Sequence, residues 1–424
     1  MRTILHSDLN NFYASVECVY DPSLRDFPVA VCGDPDARHG IVLAKNMPAK
    51  QMGVTTGEAI WQARQKCPEL KVVPPDFPKY VRFAKMMREI YAEYTDYIEP
   101  FGLDEAWLDV TGHALSGEEI ASELRARAKG ELGLTLSVGV SYNKVFAKLG
   151  SDMKKPDATT VITPENFRQK VWPLPVGELL YVGPATRRRL SGRNIRTIGD
   201  LAACPPRELA AMMGKNGEML WTFANGLDRS PVRRADDTAM IKSVGNSTTP
   251  PRDLTCERDV QRVATVLSES VAERLREHGL RGRVVELSVR DCALNSFVRQ
   301  RKLPRPTALA GEMIACAMAL FRESYRWERP IRSMGVSVSD LRPEKGDEQL
   351  CMFPDTGRAR RYELEGAVED IRRRFGHSSI LRASLIADGE IGAINPGAHF
   401  KNSPDCNFGI FPAISASESL DLAR

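Results

Sequence analysis

The sequence has no C-x-x-C pair, only six histidines, and no run of about 20 apolar residues. Its nine cysteines are scattered, which argues against a zinc site or a disulfide framework and leaves them as free thiols. Without a long apolar run no transmembrane helix is expected. The N-terminus passes directly into a strand-like segment, so no secretory leader is expected either, and the reading is cytosolic. No internal repeat or low-complexity stretch appears before the tail. Charge of one sign is scarce too: 59 Lys and Arg against 55 Asp and Glu leave a formal net charge of only +4, which does not by itself imply a nucleic-acid partner.

The chain does have the bulk and balance of a globular protein. Its 424 residues are 42% hydrophobic and 27% charged, enough for two to four units. The basic residues are unevenly placed. Arg187, Arg188, Arg189, Arg193 and Arg196 crowd one stretch, and Arg281, Arg283, Arg290, Arg299, Arg301 and Lys302 another, a distribution suited to tracking phosphates.

Strand and helix patterns alternate over residues 3–162. Residues 3–9 read as a buried strand, Phe12–Tyr20 as a short helix, and Pro78–Asp96 as an amphipathic helix whose aromatics belong to the core. Helices are also expected over Gly117–Leu132 and Asn143–Met153. Residues 170–235 shift to short helices with glycine turns. From about 245 to 342 the order is β-α-β-β-α-β, which fits a ferredoxin-like sheet with both helices on one face. Beyond it, Arg358–Phe375 reads as a basic amphipathic helix with Tyr362, Leu364, Val368, Ile371 and Phe375 on or near one face. The Asn395–Arg424 end, rich in Pro, Asn, Gly and Ser, reads as loosely ordered.

Two acidic runs about a hundred residues apart carry the chemistry. Asp8 sits in Ile4-Leu5-His6-Ser7-Asp8-Leu9-Asn10-Asn11-Phe12-Tyr13, and Asp104-Glu105 in Phe101-Gly102-Leu103-Asp104-Glu105-Ala106-Trp107-Leu108-Asp109. In such apolar surroundings an ionised carboxylate is costly unless a cation or hydrogen bonds compensate it. Three carboxylates converging from two strands suit a pair of Mg²⁺ ions and the transfer of a phosphoryl or nucleotidyl group. Neighbouring residues on a strand point to opposite sides, so Asp104 and Glu105 can both ligate only if the strand ends or twists between them. Asp109 reads as structural.

These two runs resemble the catalytic motifs of the DinB-type Y-family, or translesion, DNA polymerases, and the likeness extends over roughly residues 1–355. It implies an α/β (α+β) multidomain right hand: palm (1–12 and 74–165), fingers (13–73), helical thumb (166–235), linker and ferredoxin-like little finger (236–343), then a clamp-binding peptide and tail (344–424). The implied activity is template-directed addition of dNTPs to a primer 3′-hydroxyl, at low fidelity and past damaged bases, by a monomer acting on primer–template DNA. The resemblance makes Asp8, Asp104 and Glu105, with the Leu9 backbone carbonyl, ligands of two Mg²⁺ ions, for which Mn²⁺ could substitute.

Further residues carry over by position. Tyr13 falls where the family places a bulky side chain under the incoming sugar, excluding a 2′-hydroxyl, and the N–H groups of Phe12 and Tyr13 open a helix that suits a phosphate. The segment Ala44–Val54 matches the finger motif, but Met47 and Lys50 replace its usual tyrosine and arginine. Lys50 keeps the charge without the guanidinium fork, and Lys45 is a possible substitute. Lys155 matches the second triphosphate lysine. Asn10 and Gly102 stand where an acidic residue and a serine are frequent. Leu179–Leu190 resembles a helix-hairpin-helix, with Gly183, Ala185 and Arg187 facing DNA phosphate, although Tyr181 replaces a usual glycine. Gln349-Leu350-Cys351-Met352-Phe353 resembles the peptide that binds the bacterial sliding clamp, with Gln349, Leu350, Met352 and Phe353 as contacts.

Two other readings compete. One is a non-catalytic relative that recruits other proteins to DNA and clamp. The other is a palm-fold nucleotidyl cyclase, for which a basic thumb and a clamp peptide have no use.

Overall fold

The computed structural model describes residues 2–34, 40–237, 240–344 and 356–394. They fall into two compact units that divide near residue 238. The clamp-like pentapeptide and the Asn395–Arg424 tail lie outside the described residues. Among those described, no helix is long and apolar enough to cross a membrane.

The first unit runs β1 (Ile4–Leu9), α1 (Phe12–Tyr20), β2 (Val29–Cys32), β3 (Val42–Lys45), α2 (Met47–Gln51), α3 (Ile60–Lys66), β4 (Lys71–Val73) and α4 (Phe77–Ala92). It continues through β5 (Ile98–Pro100), β6 (Glu105–Asp109), α5 (Gly117–Leu132), β7 (Leu136–Ser141), α6 (Lys144–Met153) and β8 (Thr159–Ile162). Short helices α7 (Phe167–Lys170), α8 (Pro184–Ser191), α9 (Ile198–Ala203), α10 (Pro206–Met213) and α11 (Lys215–Ala224) close it. Strands β3-β2-β4 make a small sheet around an apolar cluster that includes Ala30, Val42, Ile60 and Leu70. Helices α7–α11 wrap a separate cluster that includes Phe167, Leu190, Leu201 and Leu220.

The larger sheet has the order β5-β6-β1-β7-β8. β1 lies at its centre, antiparallel to both β6 and β7. All six of its residues are buried, so both faces are covered. Side-chain alternation divides them. Leu5 and Ser7 face α5 and α4: Leu5 lies near Gly117, and the Ser7 hydroxyl is 2.5 Å from that of Tyr91. Ile4, His6 and Asp8 face α6, where Ile4 joins Trp107 and Ala147 in one cluster and His6 Nδ1 lies 2.9 Å from Ser151 Oγ. Gly139 pairs with His6 across β1 and β7. A Cβ there would run into the Ala147 carbonyl, so this glycine lets the backbone of α6 lie directly on the sheet.

The second unit runs β9 (Ser243–Thr248), α12 (Glu257–Glu277), β10 (Leu280–Asp291), β11 (Ser296–Thr307), α13 (Ala310–Ser324) and β12 (Ile331–Pro343), the expected β-α-β-β-α-β succession. Its sheet is antiparallel throughout, in the order β11-β10-β12-β9, so the second and fourth strands are central. Val285, Leu287 and Val289 alternate inward with Met334, Val336 and Val338 into the core shared with α12 and α13. That alternation turns Ser288, Arg290, Gly335 and Ser337 to the other face.

Helix α14 (Thr356–Phe375) and the short α15 (Ala383–Ile386) and α16 (Gly389–Gly392) complete this unit. α14 packs through Tyr362, which lies against the core, and through ion pairs. Arg276 pairs with Glu365 and Glu369, Arg372 with Glu269, and Arg358 with Glu312, and the Tyr362 hydroxyl accepts from the Ala308 N–H. Leu364 and Phe375 remain 63% and 74% exposed. Long arginines on both partners reach carboxylates across the helix pair, and their stems cover surface that leucines would otherwise cover.

The close approach at Gly139 yields a test. Gly139→Ala should destabilise the first unit by about 1–3 kcal/mol, the usual cost of forcing a methyl into a packed layer. A fall of several degrees in the melting midpoint is expected, and an unchanged midpoint would show that α6 is not held by this contact.

Candidate active site

The site forms where β1 and β6 end beside α6. The antiparallel register sets Asp8 directly opposite Glu105, so the two carboxylates share the α6 face. β6 begins at Glu105, which leaves Asp104 in the preceding turn, free of strand alternation. Its carbonyl accepts the Leu9 N–H at 3.0 Å, tying that turn to the end of β1. Gly102 makes the turn with φ +103°, a conformation that would strain a serine there. Neighbouring charge completes the picture. Burial, then Glu105, then Asp8 push the Asp104 carboxyl up to about 7, and burial and Glu105 raise Asp8 as well.

Two lysines answer this charge. Lys148, on α6, places Nζ 2.5 Å from Glu105, 3.5 Å from Asp8 and 3.4 Å from Asp152. Lys155, just past the helix, lies 2.6 Å from Asp8 and 2.8 Å from Asp152. His6 Nε2 is 3.3 Å from Glu105. The His6 ring is fully buried, and burial together with the Lys148 charge hold its pKa well below the usual histidine value, so it is neutral. His6, Asp8 and Glu105 can each offer a ligand atom within 4.8 Å of the others.

His6 and Lys148 were not singled out from the sequence. A strand's two-residue period, which puts His6 beside Asp8, and the i, i+4 spacing of Lys148 and Asp152 were the available signals. A divalent ion fits this site. The donors are hard carboxylate oxygens, and their mutual repulsion, visible in Asp104, is what a cation would relieve.

Tyr13, in the first turn of α1, stacks on Tyr80 with ring centroids 4.3 Å apart and a 12° interplanar angle, and Phe77 meets it edge-on. Tyr80 is itself pinned by a 2.7 Å hydrogen bond from its hydroxyl to Glu17. Burial, then the charge of Asp104, push the Tyr13 hydroxyl up to about 12. The ring is therefore packed between aromatic neighbours within electrostatic reach of Asp104. The Phe12 side chain, in contrast, is buried in the core, leaving only its backbone to face a ligand. Asn11 supplies no side-chain cap to α1. The Asn10 amide lies between Ser137 and Thr135.

Lys50 is exposed at the end of α2, and its charge registers on Lys45, which burial and Lys50 together depress. Lys45 donates to Thr56 at 2.9 Å. Met47 opens α2, whose first turn is capped by the Asn46 side chain. Asp109 caps the backbone of Thr111 and pairs with Arg2, in keeping with a structural part.

Of the expected helix-hairpin-helix, the second leg forms as α8, but the first is only a 3-10 turn at Val176–Glu178. Gly183 caps α8, Ala185 and Arg187 are exposed in its first turn, and Pro184 has no N–H to satisfy. Tyr181 adopts φ +67°, so it takes the left-handed conformation that a glycine would accept without strain.

Comparison with known proteins gives a consistent answer. Residues 7–152 match the impB/mucB/samB family and residues 241–352 the impB/mucB/samB family C-terminal domain. The chain is 52% identical over 391 residues to the DNA polymerase IV of Acetivibrio thermocellus, covering 91% of this chain and 98% of that one. DNA polymerase IV 1 of Bacillus subtilis is 36% identical over 388 residues, covering 91% and 93%. A solved Y-family DNA polymerase chimera superposes with a TM-score of 0.71 at 24% identity, covering 80% of this chain and 99% of that one. The chain belongs to the impB/mucB/samB family, as a bacterial DinB-type member of the Y-family DNA polymerases.

Proposed function

We propose that this protein is a DNA-directed DNA polymerase of translesion synthesis that extends a primer 3′-hydroxyl with deoxynucleotides by two-metal nucleotidyl transfer. The observation that carries the reading is the convergence of Asp8, Asp104 and Glu105 where β1 meets β6, with Tyr13 and Lys155 alongside. The carboxylates would hold two Mg²⁺ ions, or Mn²⁺ in their place, with the Leu9 carbonyl as a further donor. When bound, such ions lower the pKa of the attacking hydroxyl and neutralise triphosphate charge. Retention of all three carboxylates in this arrangement removes the motive for a purely non-catalytic reading.

The protein's own groups do the rest. Tyr13, braced by Tyr80, blocks a 2′-hydroxyl. Lys155 and Lys50 offset phosphate charge, and the opening N–H groups of α1 at Phe12 and Tyr13 face it. The α8 N-terminus at Gly183, Ala185 and Arg187 grips DNA phosphate without reading sequence. In this reading residues 1–12 and 74–165 are the palm, 13–73 the fingers, 166–235 the thumb and 236–343 the linker and little finger. Gln349, Leu350, Met352 and Phe353 would tether a cytoplasmic, monomeric enzyme to the sliding clamp, on the strength of their sequence alone.

Three outcomes test this reading. Asp104→Ala should still bind primer–template but lose Mg²⁺-dependent extension by roughly three decades, the effect of removing several kcal/mol of charge stabilisation. Extension at the wild-type rate would refute the metal assignment. Tyr13→Ala should reduce dNTP-over-rNTP preference at least about tenfold, equivalent to ~1.4 kcal/mol. Single-nucleotide insertion kinetics would measure this, and an unchanged ratio removes Tyr13 from sugar selection. Leu350→Ala with Phe353→Ala should abolish clamp pull-down, and retained binding would dismiss the peptide.

A further inference from the structure

Lys148 has no part in the function proposed above, yet it is the most enclosed cation of the site. Its side chain is 15% exposed, and its Nζ lies within 3.5 Å of carboxylates on three different segments: Glu105 of β6, Asp8 of β1 and Asp152 of its own helix. A solvated surface lysine is not held in this way. The position is also built in. Gly139 lets α6 sit on the sheet, and the Lys148 carbonyl accepts from the Ser151 hydroxyl, which in turn lies 2.9 Å from His6. Lys155 differs. It is more exposed, lies past the helix end, and touches Asp8 and Asp152, so it can leave for a phosphate without uncovering Glu105.

We infer that Lys148 is a resident counter-cation of the metal site, which keeps Asp8 and Glu105 together in the metal-free protein and sets metal affinity by competing for the same oxygens. The inference rests on the metal-site reading above. An ammonium next to the metal position carries the same sign as the ion and repels it, and one already paired with Glu105 and Asp8 must be displaced or share them. Asp152 moderates the competition, because it offers both lysines an alternative partner. Metal-binding carboxylates packed without such a charge would repel one another and open the strand ends. With one they stay in place, at the expense of weaker metal binding.

The test is Mn²⁺ binding by the full-length, DNA-free protein, read as free Mn²⁺ by electron paramagnetic resonance. Lys148→Met should bind Mn²⁺ at least about tenfold more tightly, a modest share of the repulsion that like charges a few ångströms apart produce at a protein-like dielectric. Asp152→Asn should change affinity the other way, weakening it about three- to tenfold, because both ammonium groups then turn fully to Asp8 and Glu105. That opposite sign keeps the inference testable if Lys148→Met does not fold. Unchanged or weaker binding in Lys148→Met, or unchanged or tighter binding in Asp152→Asn, would overturn it. Asp104→Asn is the control. If it binds Mn²⁺ as the wild type does, the metal-site reading fails and takes this inference with it. If it loses binding while the Lys148 and Asp152 variants match the wild type, only the inference falls.

Discussion

Repulsion among three carboxylates crowded at the end of a buried strand is the constraint around which the first unit is organised. Asp8 and Glu105 face each other across a strand pair, with Asp104 one residue before it, and burial first, then the charges of Glu105 and Asp8, raise the Asp104 carboxyl. Such a cluster is tolerable only with positive charge close by. Helix α6 brings that charge on Lys148 and Lys155, and it comes close enough only because Gly139 has no side chain. Sheet register, helix approach and site electrostatics are thus one device.

The surroundings extend the same logic. Ile4, Trp107 and Ala147 form an apolar cluster on the α6 face of the sheet, with His6 between Ile4 and Asp8 along β1. Neutral His6 fills the transition between oil and charge without adding a third cation. On the side of α1, Tyr13 stacks on Tyr80, which is anchored by Glu17.

In the second unit, charge again holds elements together. α14 is legible as a helix from its spacing, but the spacing does not say which of its residues meet the rest of the unit. The periodic Leu364 and Phe375 point outward, while Tyr362, Glu365, Glu369 and Arg372 make the contacts. Hydrophobic periodicity identifies a core-facing stripe only when the partner surface is apolar. Here α12 presents Glu269 and Arg276, so complementary charge decided the face.

Much was determined by the sequence alone. The alternation of buried and polar residues locates most strands and helices within a few positions, and the Asp8 and Asp104-Glu105 runs and Lys155 are legible as residues that the fold brings near one another. What the tertiary structure decided is how those groups relate: that Asp104 escapes strand alternation because β6 starts one residue later, that Tyr13 rests on Tyr80, that Phe12 turns inward, and that Leu179–Leu190 contains only one helix, α8. Lys148 and His6 also emerged only there. Local spacing records which face a side chain occupies, but not what lies across from it, because that depends on contacts between segments far apart in the chain.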